Sequence, residues 1–220
     1  MTEKMTDNMT ENMTETNNPI EHLSSLLQNM SLNRPRMNID LQKELIFKAI
    51  YELFKKKFSY DDFLQLKTKD GNTQNSERIY IKIFSKMLKD MGFVFTEAGS
   101  QQSKDFRIDI GANKLYIELK KTDSFTIYFN DTCPSSNIYY IIIFSGKTYK
   151  KKKSIKPQII GVNGQEFCSK SLWIEEYKKD IENLKNKWGR GENAKKLLGP
   201  MSVYPRPTYK ANIKFLLDLN

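Results

Sequence analysis

The chain has 220 residues, enough for one domain with a sizeable core, and its longest apolar run, "IYYIIIF" at 138–144, is too short to cross a bilayer. Its formal net charge of +10 favours a polyanionic partner, with nucleic acid as the first expectation. A single histidine, His22, argues against a histidine-rich zinc site, a Ser-His-Asp triad or a histidine–metal nuclease.

The two cysteines, Cys133 and Cys168, show no metal-binding spacing and suit a reducing compartment. We expect them to be small buried side chains rather than ligands. The first residues contain no apolar stretch of the signal-peptide type. The sequence therefore predicts an intracellular, cytoplasmic protein that does not enter a membrane.

The N-terminus begins with a four-residue unit repeated four times, "MTEKMTDNMTENMTET". Residues 1–18 carry a net charge of −3, so the rest of the chain carries +13. Methionine is the only large apolar residue type in the repeat, which therefore cannot form a core. We expect a disordered tail at 1–18 and a single domain at 19–220, with a helical part at 19–75 and the main core at 76–220.

Three helices are predicted before the first strand. An apolar stripe runs along 20–32, and a second helix is expected at 40–58, with Asp40 as its N-cap and an apolar residue at every fourth position. After the turn "KTKDGN", Ser76 can cap a third helix. Gly92 then ends that helix in the C′ position.

Most of the remaining segments are typical of strands. "FVF", "SFTIYF" and "QIIGV" predict short strands, and "NIYYIIIF" is apolar on both faces, as in a buried central strand. "KTYKKKKSIKP" is expected to be a basic loop. A charged helix is predicted at 171–188, with Trp173 and Trp188 in the core, and "NIKFLLDL" closes the chain as strand or helix. This order favours a mixed α/β domain.

The segment "KDFRIDIGANKLYIELKK" at 104–121 predicts a β-hairpin with a two-residue Gly111-Ala112 loop. In this register one face is apolar and the other is polar, since side chains alternate along a strand. The apolar face consists of Phe106, Ile108, Ile110, Leu115, Ile117 and Leu119. The polar face consists of Asp105, Arg107, Asp109, Lys114, Tyr116, Glu118 and Lys120.

The register brings two carboxylates together on the polar face. Asp105 and Glu118 lie across the ladder, with Cβ atoms ~5 Å apart, and Lys120 follows on the same face. Asp109 lies ~13 Å from Asp105 and faces Lys114 as an exposed ion pair. Adjacent carboxylates repel unless a cation lies between them, and oxygen ligands suit Mg²⁺. The pattern favours metal-assisted phosphodiester hydrolysis, although a solvated polar hairpin face shows the same spacing.

Asp105, followed after twelve residues by Glu118-Leu119-Lys120 and preceded by a helix, resembles the PD-(D/E)xK nuclease motif. The resemblance covers Ser76 to Phe144 and is closest to type II restriction endonucleases. It departs from the family pattern at Lys104, where the family often has proline. The resemblance implies a restriction-endonuclease-like α/β fold, a mixed sheet flanked by helices with an αβββαβ-like core, and an N-terminal helical region.

The resemblance also implies a function. Asp105 and Glu118 would hold Mg²⁺ together with the Leu119 carbonyl, and Lys120 would position the base in cleavage of double-stranded DNA. Glu77 is a candidate additional ligand, although a glutamate in a first helical turn is equally explained by the helix dipole. A homodimer and a cognate DNA methyltransferase are the expected partners. Candidate DNA contacts are Lys121, Asn130, Lys150, Lys151, Arg190 and Arg206.

Two alternatives stay open at the level of sequence. One is a non-catalytic basic nucleic-acid-binding protein with a degenerate nuclease fold, against which the complete Asp105, Glu118 and Lys120 set argues. The other is a repair or junction-resolving nuclease of the same superfamily. Recognition sequence and cleavage stagger do not follow from the residues.

Overall fold

A computed structural model describes residues 38–66, 73–98, 105–130, 133–149, 153–171, 173–184, 186–187 and 208–218, within one compact unit, Asn38–Asn220. The repeat at 1–18, the helix expected at 20–32 and the turn "KTKDGN" lie outside the described residues. No described helix combines the length and apolar character needed to cross a membrane.

The helices before the sheet are α1 (Ile39–Lys57), α2 (Tyr60–Gln65) and α3 (Thr73–Asp90). The predicted N-cap of α1 is wrong by two residues, because the Asn38 side chain accepts the Asp40 N–H at 2.9 Å and Asp40 lies in the first turn. There its charge complements the helix dipole. The capped start of α1 therefore precedes the predicted one.

Two further helix boundaries depend on short sequence signals. Helix α2 was not predicted, although Ser59 and Asp62 form a reciprocal capping box at its start. Helix α3 begins at Thr73, before the predicted cap at Ser76, and ends as predicted at Gly92. Gly92 has a φ of +76°, a conformation that glycine adopts without strain.

The described strands are β1 (Phe95–Glu97), β2 (Phe106–Ile110), β3 (Asn113–Thr122), β4 (Thr126–Asn130), β5 (Ile138–Phe144), β6 (Lys147–Tyr149), β7 (Lys153–Ile155), β8 (Gln158–Asn163) and β9 (Thr208–Asn212). Among them, the largest sheet has the order β1-β2-β3-β5-β8. Its neighbours are antiparallel except β3 and β5, which are parallel. The chain is thus a mixed α/β protein with a mixed sheet flanked by helices.

Two smaller pairs correct the sequence analysis. The segment expected as a basic loop contains a hairpin, β6–β7, in which Lys147 pairs with Ile155. Strand β4 pairs with β9, from Thr126 opposite Asn212 to Asn130 opposite Thr208. Strand β4 of this β4–β9 ribbon lies in the connection between β3 and β5. An αβββαβ core has a helix in this connection.

The sheet is covered on both faces. On one face, Phe84 of α3 packs edge-on against Phe106, with ring centroids 4.7 Å apart, and Phe47 of α1 lies 4.5 Å from Tyr139. On the other face, alternate residues of β5 pack against Ile127, Phe129 and Ala211 of the β4–β9 ribbon. All seven residues of β5 are buried, which confirms the prediction of a central strand.

The helices after the sheet are α4 (Gln165–Cys168) and α5 (Ile174–Leu184), followed after β9 by a 3₁₀ helix (Lys214–Leu216).

Trp173 is 51% exposed, so its predicted place in the core is wrong; it packs beside Tyr177 and Tyr209. Cys133 and Cys168 are free and half-buried rather than fully buried. Trp188 lies outside the described residues.

Candidate active site

The predicted hairpin register is confirmed along the whole of β2. Ile110 pairs with Asn113, Asp109 with Lys114, and the ladder continues to Phe106 opposite Ile117. Gly111 has a φ of +58°, as a tight two-residue turn requires. The six residues of the predicted apolar face are all buried: Phe106, Ile108, Ile110, Leu115, Ile117 and Leu119.

Asp105 lies one residue before β2, at the end of the ladder. Its carboxylate accepts a hydrogen bond of 2.7 Å from the Leu119 N–H, and its own carbonyl accepts one of 2.9 Å from the Ala98 N–H. These bonds attach Asp105 to both neighbouring strands. Its side chain therefore lies against the part of β3 that carries Glu118 and Lys120, as the register predicts.

Glu118 and Lys120 form a partly buried ion pair. The Lys120 Nζ lies 2.5 Å from a Glu118 carboxylate oxygen. The Lys120 side chain is 20% exposed and the Glu118 side chain 9% exposed. The same ammonium lies 5.1 Å from the ring centroid of Phe129 in the β4–β9 ribbon. A carboxylate on one side and an aromatic ring on another restrict the positions available to the lysine head group.

The polar face of the hairpin is not uniformly solvated. Near the turn, Asp109 and Lys114 form an exposed pair at 3.7 Å, as predicted. At the other end Glu118 is buried, and Phe129 of the β4–β9 ribbon lies beside its ion-pair partner Lys120. A hairpin face whose carboxylate is buried beside a second carboxylate differs from the ordinary solvated face that the sequence left open.

Burial raises the pKa of Asp105 to about 6. The Leu119 N–H and the Lys120 charge oppose this effect by stabilising the carboxylate, whereas the charges of Glu118 and Glu77 add to it. Burial therefore outweighs the stabilisation of the ionised carboxylate by the lysine and the backbone donor. A further cation would stabilise the ionised form.

Helix α3 brings two residues towards Asp105. Because α3 begins at Thr73, Glu77 lies beyond the first turn, where the helix dipole is a weaker explanation for a glutamate. Burial, with the charges of Glu77 and Asp105, also raises the pKa of Tyr80, which lies one turn further along α3. Glu77 is exposed and near enough to Asp105 to influence its ionisation.

The Leu119 backbone faces Asp105. The N–H and C=O groups of one residue in a strand point to the same side. Because the Leu119 N–H binds the Asp105 carboxylate, the Leu119 carbonyl also points to that side of β3, past Phe106 at the start of β2. The backbone thus presents the carbonyl that the motif implies as an oxygen donor.

The donor set fits a hard divalent cation. Asp105, Glu118 and the Leu119 carbonyl supply oxygen atoms, and Mg²⁺ commonly binds one or two carboxylates while keeping several waters. In the described part of the chain, no group of three or more histidine, cysteine, aspartate or glutamate side chains is arranged to hold a metal ion. The site is therefore a carboxylate pair, which suits Mg²⁺ and offers too few protein ligands for a closed structural zinc site.

The predicted DNA contacts are mostly outside the described residues. Lys150, Lys151, Arg190 and Arg206 belong to undescribed segments, and Asn130 is described only as the last residue of β4. Lys121 pairs with Ile143, on the opposite face of β3 from Glu118 and Lys120. Burial lowers the pKa of Lys121, and Asp123 opposes the change. The side chains of Lys121 and Lys120 therefore lie on opposite faces of the sheet, so Lys121 does not join the Glu118–Lys120 pair.

Sequence reasoning missed the aromatic residues behind the carboxylates. Tyr140 pairs with Glu118 across the parallel ladder and is fully buried, and its hydroxyl accepts the Ser135 N–H at 3.0 Å. Phe129 packs against both Tyr140 and Lys120. The alternation in "SFTIYF" places Phe129 on an inner face, but no local signal shows that this face covers Lys120.

Comparisons with protein-family models, with curated proteins and with solved structures found no match. The chemistry proposed for this chain consequently depends on its own residues and geometry.

Asp109 provides a test of which end of the hairpin carries the site. We expect Asp109→Asn to keep most of any phosphodiester cleavage activity, because the residue forms an exposed pair with Lys114 beside the turn. Surface ion pairs contribute about 0–1 kcal/mol, so the melting temperature should change little. Cleavage rates and thermal unfolding measure both effects. If Asp109 proved essential and Asp105 dispensable, the site would lie beside the turn, and its assignment to the other end of the hairpin would be wrong.

Proposed function

We propose that this protein is a Mg²⁺-dependent, sequence-specific endonuclease that hydrolyses double-stranded DNA, in the manner of a type II restriction enzyme. The observation that carries the proposal is the position of the Asp105 carboxylate, bound to the Leu119 N–H between Glu118 and Lys120. Asp105, Glu118 and Lys120, the residues that resemble the PD-(D/E)xK motif, thus lie at the same end of the hairpin, which supports the proposal. The net charge of +10 supports a polyanionic substrate.

Each residue has a distinct role in this proposal. Asp105 and Glu118 would hold Mg²⁺ with the Leu119 carbonyl, whereas Glu77 does not join them in a three-carboxylate group and would act only through its charge. When bound, the ion would polarise the phosphate and lower the pKa of a water molecule. Lys120, held by Glu118, would orient the attacking water and stabilise negative charge on the phosphate as a bridging P–O bond breaks.

The topology supports a related but not identical core. A helix followed by an antiparallel β1-β2-β3 meander, with a parallel strand β5 beside β3, agrees with the order that the motif implies. Strand β4 replaces the helix of the expected crossover. The catalytic hairpin and its parallel neighbour do not depend on that helix, so the proposed site is retained.

Incubation of the purified protein with supercoiled plasmid and MgCl₂ tests the function. We expect discrete fragments with Mg²⁺ and intact plasmid with EDTA, and sequencing of the fragment ends should reveal a common site. Glu118→Ala, purified identically, controls for contaminating nucleases. Structure-dependent nicking would favour the repair or junction-resolving alternative, and binding without cutting would favour the non-catalytic one; either result would contradict the proposal.

We further propose that the active form is a homodimer. Simultaneous cutting of both strands at a palindromic site requires two active sites related by a two-fold axis. Helix α1, which corresponds to the helix predicted at 40–58, is a candidate interface, because Leu41 is 49% and Leu45 39% exposed although the pattern predicts an apolar stripe there. A cognate methyltransferase acting on the same site would protect the host DNA.

Sedimentation of the protein with DNA that contains the mapped site tests the dimer. We expect two protomers per duplex, and Leu41→Glu should weaken the assembly and convert double-strand cleavage into sequential nicking. Leu64→Glu is the matched control, since Leu64 of α2 is 42% exposed outside the candidate interface. A single 25.8 kDa protomer that cuts both strands at once would exclude the dimer.

A further inference from the structure

The β4–β9 ribbon presents two chemically different faces. Its inner face contributes Ile127, Phe129 and Ala211 to the core. On its outer face Tyr128 is paired directly with Lys210, is 50% exposed, and has the Lys210 ammonium 5.6 Å from its ring centroid. Side-chain alternation therefore separates a buried apolar face from an exposed aromatic and cationic face.

The β4–β9 ribbon is held against the candidate active site. Phe129 on its inner face contacts the Lys120 ammonium at 5.1 Å from the ring centroid. The turn from β3 is also fixed, because the Thr122 hydroxyl donates to the Thr126 carbonyl at 2.8 Å and accepts the Ser124 N–H at 3.0 Å. A ligand on the outer face would thus lie one strand layer away from Lys120.

The outer face has the chemistry of a nucleic-acid contact. The strand sequences "TIYFN" and "TYKAN" contain no aspartate or glutamate, and the outer-face residues whose side chains are described are Thr126, Tyr128, Lys210 and Asn212. Lysine and tyrosine side chains contact phosphate oxygens in protein–DNA complexes. The major groove of B-DNA admits a two-stranded β-ribbon. A large exposed aromatic side chain beside a lysine, next to a site for phosphodiester chemistry, is well suited to duplex DNA.

We infer that the outer face of the β4–β9 ribbon, through Tyr128 and Lys210, is a DNA-contacting surface that docks in a groove of the duplex. This inference rests on the proposed function. It assigns contacts to residues in the described structure, whereas four of the six candidates from sequence lie in undescribed segments. The ribbon is the element that connects duplex recognition to the position of Lys120.

Fluorescence anisotropy with a labelled duplex of mixed sequence, in EDTA, tests the surface without cleavage. We expect Lys210→Ala to lower affinity roughly tenfold and to flatten the slope of log K against log salt by about 1, as for loss of a phosphate contact. Tyr128→Ala should also weaken binding. Lys55→Ala is the matched control, because Lys55 is an exposed lysine 5.8 Å from the Tyr51 ring on α1.

The outcomes separate this inference from the proposed function. Plasmid cleavage by the wild type, with duplex affinity unchanged in both ribbon variants, would overturn the inference and leave the nuclease proposal intact. Loss of affinity in the ribbon variants, beside an unchanged Lys55→Ala, would support the surface whether or not the plasmid is cut. A labelled single strand of the same sequence is the second probe. Loss of binding in Tyr128→Ala that is confined to this single strand would overturn groove docking, since it would indicate base stacking.

Discussion

Replacing either carboxylate of the site is expected to abolish DNA cleavage while the protein remains folded and bound to DNA. In Asp105→Ala or Glu118→Ala, the carboxylate pair that would hold Mg²⁺ loses one member, and the rate should fall by on the order of a thousandfold or more. Loss of a negative charge removes repulsion of the phosphate backbone, so duplex affinity should stay the same or rise.

Lys120→Ala should lower kcat by a similar order, with little change in affinity, because its ammonium would act on the reacting phosphate and water. Lys114→Ala is the matched control: it lies on the same strand and face but pairs with the exposed Asp109. Single-turnover cleavage with MgCl₂ measures the rates, and circular dichroism verifies folding. Full activity in Asp105→Ala or Glu118→Ala would remove the basis of the proposed site.

Asp105→Asn should stabilise the metal-free protein at neutral pH. Because the folded pKa of about 6 lies above the ordinary 3.8, burial of the ionised carboxylate opposes folding. Below both values Asp105 is protonated in either state and the penalty is absent. Between them the folded state binds more protons, so stability falls as pH rises, and above pH 6 the full penalty applies. Its size is up to about 3 kcal/mol.

Urea unfolding in EDTA at pH 4 and pH 8 measures this effect. The stability gain of Asp105→Asn over the wild type should be small at pH 4 and largest at pH 8. Asp109→Asn, which removes an exposed carboxylate from the same hairpin, should show no comparable pH dependence. Addition of Mg²⁺ at pH 8 should stabilise the wild type more than Asp105→Asn. An equal gain at both pH values would refute burial of the charge as its cause.

The hairpin could be predicted because its determinants are local. Strict alternation of apolar and polar residues on both sides of Gly111-Ala112 allows one register that buries every apolar side chain, and a shift of one residue would expose them all. The same argument placed Asp105, Glu118 and Lys120 on one face and Asp109 at the exposed turn. The seven consecutive apolar residues of β5 likewise predicted a strand that is covered on both faces.

Elements with weaker local signals were misplaced. The lysine-rich segment that forms β6–β7 has a composition typical of loops, and pairing between Lys147 and Ile155 decides its structure. Trp173 has the size of a core residue, yet it packs at the surface beside Tyr177 and Tyr209. In each case the partner that determines the conformation or burial lies outside the segment itself.

The amino-acid sequence by itself determined the β2–β3 hairpin, its register and the residue types that suit Mg²⁺, because alternation and turn chemistry act over a few residues. The tertiary structure alone decided that Glu118 is buried, that Phe129 contacts Lys120 and that Tyr128 faces Lys210. These features depend on pairing β4 with β9, which are separated by most of the C-terminal half. Such pairing follows from the combined packing of the core, and it places the Phe129 ring beside the Lys120 ammonium.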